Sequence, residues 1–478
     1  MPDAIDLLVL GAGPAGAAAA LAAAEHGART VMVDEALAPG GQVYRAPPMD
    51  HRQLGQRALE PEHRDGEALR RRLQCSGVEV ATRHRVWSLL PGFRVHAIGP
   101  AGHRAWVARA VVLATGTTER VVPFPGWTTP GVIGLAAATI LLKSQGAVPG
   151  ERVVVAGCGP LLAAVGAGLV KAGRAPVAVV DLAGRGEWLR ALPAMAARPD
   201  LVRRGLGWLA ALRRAGVPLL SGHGVVAVEG DTRVTAVRIA PVASDGTPRA
   251  ERVARRLEAD ALVIGHGLVP ATEATRLLEA DHRFVADAGG WIPVLDDDCA
   301  TSVAGLFAAG DGSGLAGAAA ARLQGEIAGL AAARHLGQLD EGRYQHTVAP
   351  LRQGLARARR FGQAMARLTA PRPAMVGTIA ADTVVCRCED VTRAEIETAI
   401  ASGAREMNQL KAWTRCGMGP CQGRMCAETA ASLLARHVGG REAAGQWTAR
   451  APLRPLPLAD MVGEFGYDDI PMPEPAPP

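Results

Sequence analysis

The sequence predicts an α/β fold with two nucleotide-binding domains, followed by a small helical module that is rich in cysteine. A unit of strand, glycine-rich turn, helix and strand occupies residues 5–34, and a similar unit recurs at 152–181, about 145 residues later. Five of the eight cysteines lie between residues 386 and 426. Because 478 residues suffice for about three domains, two nucleotide-binding folds and one cysteine module account for the chain.

The first unit carries a dinucleotide fingerprint in the right structural context. The continuous apolar run 5–10 predicts a strand that is buried on both faces of a parallel sheet. The next six residues match G-x-G-x-x-G, whose glycines permit the turn, admit a pyrophosphate and let the following helix pack closely, with its N-terminus facing the phosphates. The motif alone specifies a dinucleotide, and a glycine turn without a ligand is the alternative. The predicted cofactor-binding residues are Gly11, Gly13, Pro14, Ala15 and Gly16, with Asp34, or Glu35 beside it, for the ribose hydroxyls.

The second unit departs from the fingerprint at one position. Gly157 and Gly159 begin a similar turn, but Leu162 occupies the place of the third glycine, where it would displace the helix or fill space that a nucleotide needs. Asp181 is placed to hold the ribose of NADH and would repel the phosphate of NADPH. The interpretations that stay open are NADH, another adenine nucleotide such as ATP, and a site kept for structure.

The cysteine module has the spacing of an iron–sulfur site. Cys386 and Cys388 form C-x-C, and after 27 residues Cys416 and Cys421 form C-x4-C. Iron in a cluster prefers soft, anionic thiolates, and four of them complete two tetrahedral irons, so we expect these residues to hold a [2Fe–2S] cluster. Structural zinc, which four thiolates also suit, is the alternative. Cys426 is left over, either as a packed neighbour or as a ligand in exchange for one of the four.

Local patterns add predictions for the helices and for the scattered cysteines. Thr392 and Glu395 form a capping-box pattern that opens a helix. Pro420 is expected to begin the helix after the C-x4-C loop, so that the positive helix end favours an anionic cluster. The cysteines outside the module are expected to be small buried apolar residues; they are Cys75, Cys158 and Cys299.

Charge and hydropathy exclude two classes of function. The net charge of +6 is carried mostly by scattered arginine, and no basic block alternates with stacking aromatics, so no nucleic-acid partner is expected. Residues 7–24 carry no charge, but the glycines within this run and the acidic residues before it predict strand, turn and helix instead of a membrane span or a signal peptide. No transmembrane segment is expected, and the protein is predicted to be cytoplasmic, with peripheral attachment to the inner face of the membrane as a further option.

Three further segments resemble the glutathione/thioredoxin reductase-like flavoproteins. Residues 301–311 are similar to the second FAD motif of that family, the turn at 114–116 also matches it, and residues 41–42 resemble the segment beside the isoalloxazine ring. The resemblance implies a flavoprotein with two dinucleotide-binding domains and FAD as cofactor; for the aspartate of the second motif, a helix cap is the alternative. No closely spaced cysteine pair lies in these domains, so a disulfide reductase is not expected. The residues that the resemblance adds to the FAD site are Gly41, Gln42, Ala114, Thr115, Gly116, Gly310 and Asp311.

The order of the segments predicts the domain boundaries. The chain is expected to leave the first domain near residue 120, build the second domain and return near residue 262. The expected units are an FAD-binding domain (1–120 and 262–370), a second nucleotide-binding domain (121–261), a linker (371–380), a [2Fe–2S] domain (381–440) and a Pro-rich tail with little helical or strand pattern (441–478).

The cysteine segment closely resembles the [2Fe–2S] domain of bacterioferritin-associated-ferredoxin-like (BFD-like) proteins. Over roughly residues 5–440, the whole chain resembles the FAD-containing α (A) subunits of heteromeric amine dehydrogenases, of the opine oxidase, D-hydroxyproline dehydrogenase and hydrogen cyanide synthase type. Leu162 departs from the nucleotide motif but agrees with this group. In such complexes a β subunit of the D-amino-acid-oxidase type oxidises the C–N bond, the α subunit relays electrons, and a small ferredoxin-like subunit can accompany them.

The resemblance implies an electron-transfer subunit of an amine, imino-acid or opine dehydrogenase that contains FAD and a [2Fe–2S] cluster. A second adenine nucleotide, ATP or NADH, and FMN at a subunit interface are further cofactors left open. The alternatives are a self-contained NADH-dependent FAD/[2Fe–2S] reductase and a non-enzymatic role in assembly. His266 could approach a flavin but is expected to be structural, and no catalytic base is evident in the sequence.

Overall fold

The computed structural model describes residues 3–45, 61–249 and 254–460. Within these ranges the α-helices are α1 (Pro14–Glu25), α2 (Pro61–Gln74), α3 (Leu135–Ile140), α4 (Leu161–Lys171), α5 (Arg185–Met195), α6 (Pro199–Arg214), α7 (Glu273–Leu277), α8 (Ala318–His335), α9 (Glu341–Leu368), α10 (Pro373–Gly377), α11 (Arg393–Ala401), α12 (Met407–Thr414), α13 (Ala427–Val438) and α14 (Arg441–Ala444). The β-strands are β1 (Asp3–Leu10), β2 (Thr30–Val33), β3 (Glu79–Ala81), β4 (Arg85–Leu90), β5 (Arg94–Gly99), β6 (Gly102–Leu113), β7 (Thr117–Glu119), β8 (Val132–Gly134), β9 (Val153–Gly157), β10 (Ala178–Asp181), β11 (Leu219–Ser221), β12 (His223–Glu229), β13 (Ala236–Pro241), β14 (Arg255–Glu258), β15 (Ala261–Gly265), β16 (Leu268–Pro270), β17 (His282–Val285), β18 (Gly290–Pro293), β19 (Leu306–Ala308), β20 (Val384–Cys386) and β21 (Val391–Thr392).

The first sheet has seven strands in the order β3-β2-β1-β6-β5-β4, with β19 also paired to β6. Strands β1, β2, β3, β6 and β19 run parallel, whereas β4, β5 and β6 form an antiparallel meander. Helices α1, α8 and α9 cover one face of this sheet. Gly325 and Gly329 of α8 lie against the backbone of Ala15 and Ala19 in α1, where any side chain would collide. The small residues of these helices therefore allow close packing beside the first glycine turn.

The second sheet is all parallel, in the order β11-β10-β9-β15-β8, and its two faces are covered by separate apolar clusters. A three-stranded antiparallel sheet, β12-β13-β14, lies beside it. The chain leaves the first sheet through β7 and returns through β16, and these two short strands pair antiparallel. The second sheet is thus built from a segment that lies between β6 and β19 in the sequence.

The C-terminal module is built from the β20–β21 hairpin and helices α11, α12 and α13 around an apolar core of its own. The predicted capping box is confirmed, because Thr392 Oγ1 accepts a hydrogen bond from Glu395 N, and Glu395 Oε2 accepts one from Thr392 N at 2.7 Å. Hydrogen bonds that connect the module to the second domain include one from Trp127 Nε1 to Val384 O at 2.7 Å and one from Thr429 Oγ1 to Val121 O at 2.9 Å. These bonds fix the module against the body of the protein.

Two local predictions were wrong. Pro420 does not begin a helix, since the loop continues to α13. The reason is that Gln422 and Gly423 take positive φ angles of 51° and 81°, which a right-handed helix does not allow. Cys75 is exposed just beyond the end of α2, while the other two scattered cysteines are buried as expected.

The segment after residue 440 is structured as far as it is described. It begins with α14, although little helical pattern was expected there, and Ala444 packs into the core of the module. Leu453 packs on the first sheet, where its backbone N–H donates to Trp87 O at 2.7 Å. The remainder of the predicted tail, residues 461–478, lies outside the described residues. No helix in the described part of the chain is long and apolar enough to span a membrane.

Candidate dinucleotide pocket and iron–sulfur site

A cavity of about 300 Å³ lies at the carboxyl ends of the parallel strands of the first sheet. This is the edge where nucleotide-binding folds hold their ligands. Gly16 does not line the cavity, because it sits beneath the turn where the helix meets the strand. The other residues predicted for the FAD site all line it; they are Gly11, Gly13, Pro14, Ala15, Asp34, Glu35, Gly41, Gln42, Ala114, Thr115, Gly116, Gly310 and Asp311.

Close backbone contacts require glycine at two positions of the first glycine turn. Gly11 has a φ of +104°, and a Cβ there would collide with the carbonyl oxygen of Ala114. A Cβ on Gly16 would collide with the carbonyl oxygen of Gly11. Gly13 is the N-cap of α1, and the nearest atom to a Cβ built there is the Cα of Gly41 at 3.8 Å. The turn therefore keeps open space in front of a helix N-terminus, which fits the pyrophosphate of a dinucleotide.

Asp34 braces this turn. Its Oδ2 accepts a hydrogen bond from Ala12 N at 2.6 Å, and its Oδ1 accepts one from Ala36 N at 2.7 Å. The carboxylate thus ties the end of β2 to the glycine turn while it lines the cavity. Glu35 lies beside it, with Oε2 at 3.9 Å from Arg454 Nε.

Asp311 caps a loop and also lines the dinucleotide cavity. Its Oδ1 accepts hydrogen bonds from Ala316 N at 2.9 Å and Gly317 N at 2.8 Å, so it caps the loop before α8. Burial raises the pKa of the Asp311 carboxyl, and the two backbone N–H groups oppose that rise. The residue also lines the cavity, so the capping role and contact with a ligand are compatible.

Several cavity residues were missed by the sequence reasoning, and the most informative is Arg424. It lies in the loop between Cys421 and Cys426, and its Nε is 3.0 Å from Glu273 Oε1. Its Nη2 donates to Leu453 O at 2.8 Å, and its Nη1 donates to Cys421 O at 3.2 Å. Arg424, Glu273 and Leu453 all line the dinucleotide cavity. The cysteine loop and the C-terminal segment therefore form part of its wall, and no local pattern in the sequence signals this.

The structure brings all five cysteines of the module together. The sulfur atoms of Cys386, Cys416 and Cys426 lie within 4.8 Å of one another. Hydrogen bonds with Cys416 and Cys426 hold the pKa of the Cys386 thiol far below its usual range. Cys388 and Cys421 form a second pair, hydrogen-bonded through their side chains. Two groups of thiols fit a two-iron cluster, in which each iron takes two protein ligands.

Five thiols thus surround a site that needs four. Sequence reasoning paired Cys416 with Cys421 and left Cys426 over. The spacing C-x4-C is in fact satisfied twice, by Cys416 and Cys421 and by Cys421 and Cys426. Because the sulfur atoms of Cys416 and Cys426 both lie within 4.8 Å of that of Cys386, proximity alone does not choose between them.

Side chains of this chain pack closely around the second glycine turn. Leu162 is buried with 2% of its surface exposed, and it packs in the core beneath the second sheet. Gly157 has a φ of +132°, so this turn keeps its glycine conformation. A Cβ on Gly159 would collide with the side chain of Thr369, which follows the end of α9. The space before this turn is therefore approached by another part of the same chain.

Both carboxylate oxygens of Asp181 already accept hydrogen bonds from the second domain. Its Oδ1 accepts a hydrogen bond from Ala183 N at 2.9 Å, and its Oδ2 accepts one from Trp188 Nε1 at 2.9 Å. Burial raises the pKa of this carboxyl to about 6. To hold a ribose, Asp181 would have to share or break the bond to Trp188.

The chain matches two known protein families, one over its nucleotide-binding domains and one over the cysteine module. Residues 5–325 match the pyridine nucleotide-disulphide oxidoreductase family, and residues 384–436 match the BFD-like [2Fe-2S] binding domain. The chain is therefore an oxidoreductase of that family, with an FAD-binding domain of this type and a [2Fe–2S]-binding domain that contains the cysteine cluster.

More specific relatives cover nearly the whole chain. The A subunit of opine oxidase from Agrobacterium tumefaciens (strain Ach5) is 37% identical over 479 residues, which cover 96% of this chain and 92% of that protein. Hydrogen cyanide synthase subunit HcnB of Pseudomonas protegens is 34% identical over 470 residues, which cover 95% of this chain and 96% of that protein. The crystal structure of L-proline dehydrogenase from P. horikoshii superposes with a TM-score of 0.68 at 19% identity, over 96% of this chain and 80% of that one. These findings confirm the predicted fold class and the predicted resemblance to subunits of this kind.

Proposed function

We propose that this chain is the electron-transfer subunit of a heteromeric amine, imino-acid or opine dehydrogenase, cytoplasmic or attached to the inner face of the membrane. The relatives that match it nearly end to end are named as subunits of opine oxidase and of hydrogen cyanide synthase. A partner is therefore part of the proposal, namely a flavoprotein β subunit of the D-amino-acid-oxidase type, with a small ferredoxin-like subunit as a further component. The substrate would be oxidised on that partner.

The observation that carries the proposal is the contact between the cysteine loop and the dinucleotide cavity. Arg424, which lies between two of the clustered cysteines, is paired with Glu273 in the wall of that cavity. A bound flavin can take up an electron pair and release single electrons, which is the exchange a [2Fe–2S] cluster requires. The residues of the chain would hold the two cofactors in one rigid unit and keep the thiols largely away from water, since Cys386, Cys416 and Cys426 are buried.

We assign three iron ligands to Cys386, Cys388 and Cys421 and the fourth to either Cys416 or Cys426. Separate Cys416→Ser and Cys426→Ser variants distinguish the two, with Cys75→Ser, at an exposed position, as the matched control. Iron and acid-labile sulfide should fall to background in one of the two variants and stay at the control level in the other. If both variants keep a full cluster, the assignment is wrong.

For the second nucleotide fold we propose a structural role, because Asp181 and the turn at Gly159 are engaged by the chain itself. FMN, if the complex contains it, would lie at the interface with the partner. Acid extraction of the purified complex, followed by chromatography, tests both statements. FAD should be recovered with this chain, FMN only from the complex, and neither ATP nor NADH in stoichiometric amount.

The function is tested by expression of the chain with and without its partner. The complex should reduce an artificial dye with one member of a panel that contains glycine, D-hydroxyproline, proline and opines, while the isolated chain should be inactive with all of them. Turnover of an amine by the isolated chain would contradict the assignment as a relay subunit. Rapid dye reduction by the isolated chain with NADH would favour the self-contained reductase.

A further inference from the structure

A segment that continues from the iron–sulfur module reaches the dinucleotide cavity of the first domain. It comprises residues 447–454, which we call the strap. The backbone N–H of Leu453 donates to Trp87 O in β4 at 2.7 Å, and the Leu453 side chain is buried on the first sheet. Arg454 follows, with its Nε 3.9 Å from Glu35 Oε2. Leu453 and Arg454 both line the cavity, so the strap ends as part of its wall.

The strap meets the cavity at the end that receives the adenosine half of a dinucleotide. Asp34 follows β2, and a carboxylate at this place in the fold binds the ribose next to the adenine. The backbone N–H of His84 donates to Asp34 O at 3.0 Å, and Val86 belongs to the same apolar cluster as Leu453; both residues also line the cavity. Nucleotide bases bind to apolar side chains and stack on guanidinium groups. Leu453 and Arg454 provide both kinds of group at this end.

The start of the strap packs on the cysteine loop, residues 416–426. The indole ring of Trp447 lies so close to Gly417 and Gly423 that a Cβ at either glycine would collide with it. Trp447 Nε1 also donates to Met407 O in α12 at 2.7 Å. Since both glycines belong to the cysteine loop, the indole ring fixes the strap to the part of the module that surrounds the iron–sulfur site.

The end of the strap is held by side chains of the same loop. Gln422 Nε2 donates to Pro452 O at 2.6 Å, and Arg424 Nη2 donates to Leu453 O at 2.8 Å. Both acceptors are backbone carbonyls, so these bonds set the path of the strap independently of its side chains. The cysteine loop therefore determines where the strap lies beside the cavity.

We propose that the strap holds the adenosine half of FAD through Leu453 and Arg454, and that Trp447 positions the strap by packing on the cysteine loop. Retention of the flavin therefore depends on the folded cysteine loop, although that loop belongs to another domain. The inference rests on the FAD-binding domain that the family match identifies, and it is independent of the proposed electron-transfer function.

The contact at the adenosine end is tested with the full-length apoprotein, by titration with FAD and by competition with ADP, both followed by flavin fluorescence. ADP carries the adenosine and both phosphates of FAD but no flavin, and competition reports only the FAD site. Leu453→Ala should raise the dissociation constants of FAD and ADP by a similar factor of about tenfold, because both ligands lose the same apolar contact. Arg454→Gln should weaken both ligands by about threefold or more.

Leu458→Ala is the matched control, because Leu458 is 81% exposed a few residues beyond the strap, and it should change neither constant. The contact is overturned if Leu453→Ala and Arg454→Gln bind FAD as tightly as the wild type does. It is also overturned if they lose affinity for FAD but not for ADP, or if Leu458→Ala weakens ADP as much as Leu453→Ala does.

The positioning role of Trp447 is tested with two substitutions of different size. Trp447→Ala removes the ring that packs on the cysteine loop and should weaken ADP by about tenfold, whereas Trp447→Phe keeps a ring there and should stay within about threefold of the wild type. Combining Trp447→Ala with Leu453→Ala should weaken ADP little more than either change alone, because both act through the strap. Additive losses in the double variant would overturn the positioning role, as would a Trp447→Ala variant that is less stable to denaturant but binds ADP normally.

Discussion

The two strand–turn–helix units of this chain have the same backbone arrangement, but they differ in the side chains that surround the glycine turn. In the first unit the glycine turn opens onto a cavity of about 300 Å³, and Asp34 braces the turn through Ala12 N. In the second unit Leu162 fills the position of the third glycine, and Asp181 is bonded to Trp188 of its own domain. A nucleotide-binding fold is thus a scaffold, and a few side chains decide whether a ligand can occupy it.

The largest expected effect comes from Gly11→Ala. The new Cβ would collide with the backbone of Ala114, and a φ of +104° is strained for any residue with a side chain. We expect the flavin-to-protein ratio, read from absorbance after purification, to fall by about tenfold or more. Gly159→Ala is the matched change in the second unit, and it should keep the flavin at the wild-type ratio. Equal loss of flavin in both variants would contradict the difference between the two units.

Asp34→Ala should give the next largest effect. It leaves the N–H groups of Ala12 and Ala36 without their acceptors, which costs about 1–3 kcal/mol. The dissociation constant of FAD, measured by fluorescence titration of the apoprotein, should rise by about tenfold to a hundredfold. Asp181→Ala serves as the control and should leave this constant unchanged. A variant at Asp34 that purifies with full flavin would count against this role.

Arg424→Gln tests whether the cysteine loop belongs functionally to the first cavity. The change removes the partly buried pair with Glu273, so FAD should dissociate several-fold faster, in line with a loss of about 1 kcal/mol. Stopped-flow dilution with detection of flavin fluorescence gives the rate. Lys411→Gln removes a positive charge elsewhere in the module and should not change it. An unchanged rate in Arg424→Gln would show that the loop does not support the cofactor.

Asp181→Asn should not change flavin binding. It should instead change how the free energy of unfolding depends on pH. Because burial raises the pKa of Asp181 from 3.8 to about 6, the folded state binds this proton more tightly than the unfolded state. The contribution of Asp181 to stability is therefore fully present below about pH 4 and is lost as the pH rises through about 6. The free energy of unfolding of wild type relative to Asp181→Asn, from chemical denaturation, should fall by at most about 3 kcal/mol between pH 4 and pH 7. The same difference at both pH values would argue against a raised pKa.

The sequence was sufficient for features that depend on neighbouring residues. The first glycine turn, the buried strands and the capping box at Thr392 could be predicted because each is specified within a few positions. Arg424 and Leu453 could not be assigned to the dinucleotide cavity, because their place depends on how the module and the C-terminal segment dock on the first domain. Cys426 was set aside for a related reason: spacing alone cannot choose between two overlapping C-x4-C patterns, and the fold brings both beside Cys386.

The most direct test of the electron-transfer proposal is anaerobic reduction of the purified complex, followed by electron paramagnetic resonance of the cluster and absorbance of the flavin. With the amine substrate that the dye assay identifies, the cluster signal should appear, and its appearance should require the partner subunit. NADH in the absence of substrate should leave the flavin band unchanged. Rapid bleaching of the flavin of the isolated chain by NADH would contradict the proposal.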